Sequence, residues 1–197
     1  MCVNRFYIQD GVYERFIQLL TEATRVLKVA PGMTAGAQQG PLIHLKAVEK
    51  VEAHLQDALS QGARLMCGGE RHPLGGTFFQ PTVLADANEQ MRLAHEETFG
   101  PLAACFRFHT EEEVIRRAND TPFGLAAYLY TRDLARAFRV TRQLESGMVG
   151  INEGIISTEV APFGGVKESG LGREGADVGL EEYLEIQYVN LGQLGGE

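Results

Sequence analysis

Residues 102–151 read LAACFRFHTEEEVIRRANDTPFGLAAYLYTRDLARAFRVTRQLESGMVGI, and this stretch decides the predicted fold. Its three short apolar runs favour strands and lie at 102–106, 125–130 and 148–151. Between them lie two segments whose apolar residues recur at helical spacing, the first capped by Thr110 and the second by Asp133. Strand, helix, strand, helix and strand in this order predict a parallel sheet with right-handed crossovers.

Further strands and helices are predicted before this stretch. Residues 3–8 favour a strand, and Asp10 is the predicted N-cap of a first helix. A second helix is predicted to end at Gly62, because glycine readily adopts the left-handed conformation that stops a helix. The runs at 63–67 and 81–84 favour two more strands.

The chain after residue 151 changes character. Residues 160–175 are dense in glycine, residues 178–182 favour a helix, and residues 183–189 alternate as a strand does. The predicted fold class is therefore α/β. It consists of an open, twisted, mostly parallel sheet with flanking helices, followed by a C-terminal strand that stands apart from the sheet.

The composition excludes several classes of protein. The chain has 197 residues, with 18 Lys and Arg against 26 Asp and Glu, and a formal net charge of −8. Such an acidic chain does not bind nucleic acid through bulk charge. No apolar run approaches the roughly 20 residues of a membrane span. The apolar part of residues 1–6 is also too short to form the hydrophobic region of a signal peptide. We expect a cytoplasmic protein with no nucleic-acid or membrane partner.

Cysteine and histidine spacing gives no sign of a disulfide framework or of a metal site. Cys2, Cys67 and Cys105 are odd in number and form no CxxC pair, so reduced thiols are expected. Cys67 and Cys105 lie in predicted strands, where cysteine usually behaves as a small buried hydrophobic residue. The histidines show no HExxH or HxH spacing, and no metal is expected.

Residues 95–101, HEETFGP, place two carboxylates beside an aromatic ring and a Gly-Pro turn, directly before a predicted strand. One interpretation is an ordinary solvated loop. The other is a binding loop, in which a carboxylate accepts hydrogen bonds from ribose hydroxyls while the ring packs on a planar heterocycle. The residues alone leave both interpretations open.

Residues 162–172, PFGGVKESGLG, invite comparison with a phosphate-binding loop. A P-loop needs GxxxxGK followed by Ser or Thr, whereas here the lysine precedes the glycine. The chain also has no GxGxxG between a first strand and its helix, so it carries no dinucleotide fingerprint. We interpret the glycines as allowing tight turns beside another segment, and Lys167 as a surface charge.

Three segments together resemble the C-terminal half of the aldehyde dehydrogenase superfamily. They are Cys2-Val3-Asn4-Arg5, Glu96-Glu97-Thr98-Phe99-Gly100-Pro101, and Pro162-Phe163-Gly164-Gly165 with Lys167, Ser169 and Gly170. Their order and separation also agree, and the resemblance covers essentially the whole chain. Details at 40–43, 154–157 and 170–175 resemble the succinate-semialdehyde dehydrogenase branch of that superfamily.

The resemblance implies a covalent mechanism. In that family a cysteine thiolate attacks the aldehyde, the thiohemiacetal gives hydride to NAD or NADP, and a water activated by glutamate hydrolyses the thioester. Counting back from Asn4 and Arg5, Cys2 matches the second cysteine of a Cys-Val-Cys string. The nucleophile is therefore expected one residue before Met1, and Cys2 is expected to be a redox thiol next to the active site.

The same resemblance assigns roles to four more residues. Glu97 would bind the nicotinamide ribose, and Phe99 would pack beside the nicotinamide. Ser157 would help bind the carboxylate of the substrate, and Phe163 would border the tunnel through which the aldehyde enters. The general base and most of the cofactor domain would lie upstream, so the isolated chain is expected to be inactive.

The resemblance also implies a division of the chain and an assembly. Residues 1–170 would be part of the catalytic domain, and residues 171–197 a C-terminal helix and oligomerisation strand. That strand is expected to join a partner subunit's sheet, giving a homodimer or a larger homo-oligomer. The expected function is oxidation of succinate semialdehyde or a related small aldehyde with NAD or NADP. The alternative is a non-enzymatic dimerising remnant.

Overall fold

The computed structural model describes residues 3–192, and the chain divides into two compact units, Met1–Val114 and Ile115–Glu197. The predicted catalytic portion, residues 1–170, takes in the first unit and part of the second. The division at residue 170 stays a prediction. No helix among residues 3–192 is both long enough and apolar enough to cross a membrane.

The first unit is built on a sheet of four strands within the described residues, in the order β1-β4-β3-β2. Its elements are β1 (Arg5–Gln9), α1 (Tyr13–Arg25), α2 (Leu45–Ser60), β2 (Arg64–Cys67), β3 (Thr82–Ala87), α3 (Arg92–His95) and β4 (Leu102–Phe108). Strands β1 and β3 run parallel to β4, and β2 is antiparallel to β3. The predicted mostly parallel sheet is confirmed.

Helices cover both faces of this sheet because successive side chains of a strand point to opposite sides. On one face, Leu84 and Phe106 pack with the apolar stripe of α2, which consists of Val48, Val51, Leu55 and Ala58. On the other face, Val83 and Cys105 pack with residues of β1 and α1, namely Ile8, Tyr13 and Ile17. The two central strands β3 and β4 are therefore buried on both faces.

Helix α1 begins later than predicted. Asp10 lies in a short 3-10 helix, Asp10–Val12, and the side chain of Gln9 accepts a hydrogen bond from the Gly11 amide at 2.8 Å. The buried Tyr13 hydroxyl accepts a hydrogen bond from the Asp86 amide at 2.6 Å and donates to the Cys105 carbonyl at 3.1 Å. The first residue of α1 is thus tied to both central strands.

The second unit is smaller and contains two short sheets within the described residues. Its elements are β5 (Phe123–Gly124), β6 (Ala126–Leu129), α5 (Leu134–Thr141), β7 (Met148–Ile151), β8 (Val166–Lys167) and a 3-10 helix (Val178–Tyr183), preceded by α4 (Glu111–Asn119), which crosses the boundary between the units. Strands β6 and β7 are parallel and are joined through α5, as the sequence predicts. Strands β5 and β8 form an antiparallel pair.

One prediction about the pairing of the strands is wrong. The strand at 102–106 was expected to share one sheet with those at 125–130 and 148–151. Both edges of β4 are instead taken by β1 and β3, while β6 pairs with β7 in a separate sheet. A strand can pair with only one neighbour on each of its two edges. The alternation of strands and helices along the sequence predicts the type of each element but not which strands become neighbours.

The predicted C-terminal strand is not formed in the single chain. Tyr183 ends the 3-10 helix, and residues 184–192 have no regular secondary structure. Leu184, Ile186 and Tyr188 are exposed. A strand needs a hydrogen-bonded neighbour, and the predicted neighbour belongs to a second subunit, so the pairing itself stays a prediction.

Candidate functional site

In the loop between α3 and β4, successive side chains point alternately into the protein and out to solvent. Thr98 is buried, whereas Glu97 and Phe99 are exposed, Phe99 to 72%. Glu96 is exposed in part, but its carboxylate is turned to neighbouring side chains rather than left to water alone. We call residues 96–100 the carboxylate loop. The two residues that the resemblance assigns to the cofactor are the two that the loop presents outward.

The carboxylate loop is held from behind by α2 and α3. His54 of α2 places Nδ1 at 3.0 Å from the Thr98 Oγ1 and Nε2 at 3.2 Å from the Glu96 Oε2. Arg92 donates to both oxygens of Glu96, each at 3.1 Å. The hydrogen bonds from Arg92 first, and from His54 second, lower the pKa of Glu96 to about 2. The Glu96 carboxylate is therefore ionised at neutral pH.

Asn4 holds the same loop from the N-terminal motif. Its Nδ2 donates to the Leu93 carbonyl at 2.9 Å and to the Glu96 carbonyl at 3.4 Å. Its Oδ1 accepts from the Thr98 amide at 3.1 Å. The structure thus brings the first two motifs of the sequence together. Cys2 lies outside the described residues.

The turn after Thr98 is unusual for its residue types. Phe99 has a φ of 51°, in the left-handed region that disfavours side chains with a Cβ. A Cβ at Gly100 would collide with Cγ2 of Val51, so the backbone here lies directly on α2. Only glycine allows so close an approach of the loop to the helix.

The exposed side chains could contact a ligand that carries hydroxyl groups and a planar ring. A carboxylate such as Glu97 accepts hydrogen bonds from vicinal hydroxyls, and an exposed ring such as Phe99 offers a face for a planar heterocycle. Both are carried on backbone that is fixed on its inner side. Among residues 3–192, no group of three or more His, Cys, Asp or Glu side chains could hold a metal ion.

The residue assigned to the substrate carboxylate lies in the second unit. Ser157 is exposed in the loop that follows β7. The start of this loop is fixed by Asn152, which has a φ of 54° and exchanges two side-chain hydrogen bonds with the backbone of Thr131, at 2.8 and 2.9 Å. Next to it, the Glu153 carboxylate accepts from the amides of Ile155 and Gly154, and these bonds lower the pKa of Glu153.

Phe163 borders a cleft of about 780 Å³ in the second unit. Its backbone exchanges two hydrogen bonds of 2.7 Å with Glu174. The neighbouring Arg173 donates from Nη1 to the carbonyls of Gly165 and Gly172, at 2.8 and 2.6 Å, and lines the same cleft. Phe163 is therefore held in a wall of glycine-rich backbone.

The glycine-rich motif packs as predicted, and its lysine has specific partners at the surface. A Cβ at Gly147 would collide with the carbonyl of Gly164, so the glycines do permit close approach of two segments. The Lys167 ammonium donates to the carbonyls of Asn119 and Thr121, at 2.8 and 3.1 Å, and it also pairs with Glu145. Lys167 is exposed, in agreement with its interpretation as a surface charge, and it also supplies a donor to carbonyls left over near the end of α4.

The surroundings of the two remaining cysteines disfavour the thiolate form. Cys105 is fully buried, and burial raises the pKa of its thiol to about 12. Cys67 is half-buried, and burial again raises the pKa. Since the thiolate is the reactive form, neither thiol is suited to nucleophilic attack. The prediction that both behave as small hydrophobic residues is confirmed for Cys105 and fits Cys67.

A mostly parallel sheet covered on both faces, with a braced loop that turns a carboxylate and a ring outward, defines the class of the protein as α/β. Comparison with known proteins makes this specific. The aldehyde dehydrogenase family model matches residues 1–189. The chain belongs to the aldehyde dehydrogenase family, and the predicted resemblance is confirmed.

Individual relatives are similar over nearly all of the chain. A succinate semialdehyde dehydrogenase of Acinetobacter baylyi is 59% identical over 194 residues, which are 98% of this chain and 40% of that protein. A 3-sulfolactaldehyde dehydrogenase of Pseudomonas putida is 58% identical over 192 residues, again 98% and 40%. The crystal structure of an NADP-dependent enzyme of Escherichia coli is 58% identical with a TM-score of 0.95, covering 98% of this chain and 40% of that one. The chain spans about two fifths of the length of the curated relatives that it matches.

Sequence reasoning found the exposed residues of the carboxylate loop but missed its supports. Neither His54 nor Asn4 was singled out for a role. Asn4 lies in the motif Cys2-Val3-Asn4-Arg5, which by itself gives the asparagine no function. The available signal for His54 was its position in the apolar stripe of α2, between Val51 and Leu55, where a polar ring is unexpected.

Proposed function

We propose that this chain is the C-terminal portion of an NAD- or NADP-dependent aldehyde dehydrogenase that oxidises succinate semialdehyde or a closely related semialdehyde. The observation that carries the proposal is the carboxylate loop, which holds Glu97 and Phe99 outward on a backbone fixed by His54 and Asn4. Family membership supports the reaction type, and the names of the relatives support the substrate class.

In this proposal Glu97 accepts hydrogen bonds from the nicotinamide ribose, and the Phe99 ring lies beside the nicotinamide. The cofactor, when bound, supplies the acceptor for the hydride that leaves the substrate. The nucleophilic cysteine lies one residue before Met1, outside these 197 residues. The isolated chain is accordingly expected not to oxidise aldehydes, because catalytic groups that act as a unit leave little rate when one is missing.

The proposed substrates share an aldehyde and a distal anionic group. The names of the two relatives specify a carboxylate in one case and a sulfonate in the other. The exposed hydroxyl of Ser157 can donate a hydrogen bond to either group. Phe163, at the cleft of the second unit, is proposed to border the path of the aldehyde.

A chimera tests the proposed activity. Residues 1–197 are joined, directly before Met1, to the preceding part of the Acinetobacter baylyi relative, and NAD(P)H formation is followed by absorbance. We expect turnover of succinate semialdehyde by the chimera and none by the isolated chain. A well-folded chimera without activity would favour the non-enzymatic remnant. Turnover by the isolated chain that disappears in Cys2→Ser would instead make Cys2 the nucleophile.

Ser157→Ala in the active chimera tests the substrate assignment. Loss of a hydrogen bond to a charged group costs about 1.5–3 kcal/mol, so kcat/KM for succinate semialdehyde should fall by roughly ten- to a hundredfold. Acetaldehyde, which has no carboxylate, should be affected little. Thr158→Ala, the neighbouring exposed hydroxyl, is the matched control. Equal losses for both aldehydes would make Ser157 a structural residue of its loop.

A further inference from the structure

His54 is an unusual residue for the inner face of α2. Its side chain is fully buried, with 0% exposure, among the apolar residues Val51 and Leu55 that pack this helix on the sheet. A buried polar ring destabilises a core unless its hydrogen bonds are made. Both ring nitrogens of His54 are used, and both contact the carboxylate loop rather than the sheet. Leucine would serve packing at this position, so the histidine serves the loop.

We propose that His54 is a positioning residue for cofactor binding, which orients Glu97 and Phe99 through its hydrogen bonds to Glu96 and Thr98. We call these two hydrogen bonds the clasp. The proposal deepens the proposed function and rests on it in one respect, namely that Glu97 and Phe99 contact the nicotinamide end of the cofactor. The clasp itself is a property of the chain alone.

The partners of His54 determine its tautomer. The ionised Glu96 carboxylate has no proton to give, so Nε2 must carry the proton and donate to Oε2. In the neutral ring Nδ1 is then an acceptor, and the Thr98 hydroxyl must donate to it. When the ring is neutral, the hydrogen bonds therefore run in one direction, from Thr98 through His54 to Glu96. This direction fixes the rotation of the Thr98 side chain as well as that of the ring.

The clasp fixes the residue between its two anchors. Glu96 and Thr98 flank Glu97, so anchoring both of them to one imidazole leaves the Glu97 side chain pointing away from α2. The Thr98 amide is also bonded to Asn4, at 3.1 Å. The backbone just before Phe99 is thus held at two points.

The segment after Phe99 is held by the same helix. Gly100 lies against Val51, which stands one turn before His54 on α2. Phe99, with its left-handed φ, therefore lies between two residues that each contact the same rigid helix. A strained backbone angle persists only when its surroundings over-determine it, and α2 with His54 supplies that constraint.

The tautomer is tested in the isolated chain by NMR with ¹⁵N-labelled histidine. We expect His54 to show a protonated Nε2 and an unprotonated Nδ1 when the ring is neutral. The reverse tautomer would overturn the clasp, because Nε2 could not then donate to Glu96. His44, the exposed N-cap of the same helix, provides an internal comparison, and His44→Asn is the matched control variant.

Three variants of His54 separate the two contacts. Gln places its amide near the position of Nε2, Asn places its amide near that of Nδ1, and Leu retains neither contact. Amide hydrogen exchange of the isolated chain should accelerate at residues 97–99 in His54→Leu, while β3 and β4 keep their protection. Unchanged exchange in the loop, or equal acceleration throughout the sheet, would reduce His54 to a packing residue. Should His54→Leu fail to fold, the Gln and Asn variants carry the same comparison.

The effect on the cofactor is measured in the active chimera. Small displacements of a positioning group can reduce rates by as much as a hundredfold, so we expect KM for NAD(P) to rise by about ten- to a hundredfold in His54→Leu. KM for the aldehyde should change little, and the Gln and Asn variants should recover part of the loss. An unchanged cofactor KM in a folded His54→Leu chimera would overturn the proposal. If the chimera with His54 unchanged is inactive, the proposed function is refuted. Hydrogen exchange and NMR on the isolated chain would still show whether His54 holds the carboxylate loop.

Discussion

Phe99 combines a large side chain with a backbone angle that favours glycine. Its φ of 51° costs about 1–2 kcal/mol for a residue with a Cβ, and its ring is exposed, so packing does not offset this strain. Evolution keeps such strain mainly at functional positions. The combination supports a role for the ring outside the chain itself, as the proposed contact with nicotinamide requires.

Glycine at position 99 should therefore give a more stable chain than alanine does. Alanine is normally the more stable of the two residues by about 0.5–1 kcal/mol, but at a left-handed angle this order should reverse. We expect Phe99→Gly to exceed Phe99→Ala in free energy of unfolding by roughly 1 kcal/mol, measured with urea. In the chimera both variants should raise KM for the cofactor. A glycine variant less stable than the alanine variant would mean that the turn is not strained.

For individual residues, the sequence identifies the exposed side chains of the carboxylate loop better than the side chains that hold the loop in place. Glu97 and Phe99 stand in a contiguous motif that one sequence can show. His54 lies 42 residues before its partner Glu96, and Asn4 lies 94 residues before Thr98. Spacing along the chain says nothing about contacts of that range. Only a polar side chain on an otherwise apolar helical face indicates that such a contact exists.

Helix α2 is the element that organises the carboxylate loop. The predicted stop at Gly62 is confirmed, since that residue has a φ of 97° just after the helix ends at Ser60. Its apolar stripe packs on one face of the sheet. Local patterns determine such an element because capping and periodicity act over a few residues. The predicted N-cap Asp10 was wrong because Gln9 begins a 3-10 turn first, a competition between neighbours that propensity does not resolve.

The link between α2, α3 and the loop should depend on pH through Glu96. The pKa of Glu96 is lowered from 4.5 to about 2, so the folded state favours the ionised form. The stabilisation from this carboxylate is complete above pH 4.5 and is lost as the pH falls toward 2. The difference in free energy of unfolding between the wild type and Glu96→Gln should accordingly shrink over that range.

Urea unfolding at a series of pH values measures this difference. Glu97→Gln removes a charge from the same loop without touching Arg92 or His54, and it controls for the change in net charge. A wild-type advantage that stays constant from pH 4.5 down to 2 would show that the ion pair adds nothing to stability. The Glu96 side chain is 45% exposed, so screening by solvent makes the effect modest.

On the scale of the whole molecule, residues 184–192 form no regular secondary structure and leave apolar side chains exposed. Ile186 is 100% exposed, and Leu184 and Tyr188 are exposed beside it. Contiguous exposed apolar residues mark interaction sites, which fits the proposed pairing with a second subunit. The sequence predicts the strand but not the place where it forms, because pairing depends on a partner that one chain does not contain.

Truncation after Glu182 tests the assembly. By light scattering we expect the intact chain to be a dimer or larger oligomer, and the truncated chain to be a monomer or an aggregate at the same concentration. Truncation after Gly192 keeps the segment and is the control. If the chain ending at Glu182 remains a well-behaved dimer, the subunits meet elsewhere and the segment is only an accessory.

The order of strands in the first sheet affects how the protein emerges from the ribosome. Strand β1 pairs with β4, beginning at Arg5 and Ala104, so about 100 residues must be added before β1 finds its partner, on the order of 5–20 seconds at usual synthesis rates. Until then its apolar side chains and open backbone groups invite wrong pairing. The nascent chain therefore exposes β1 to such wrong pairing during this interval, and slower translation upstream of β4 would lengthen the exposure.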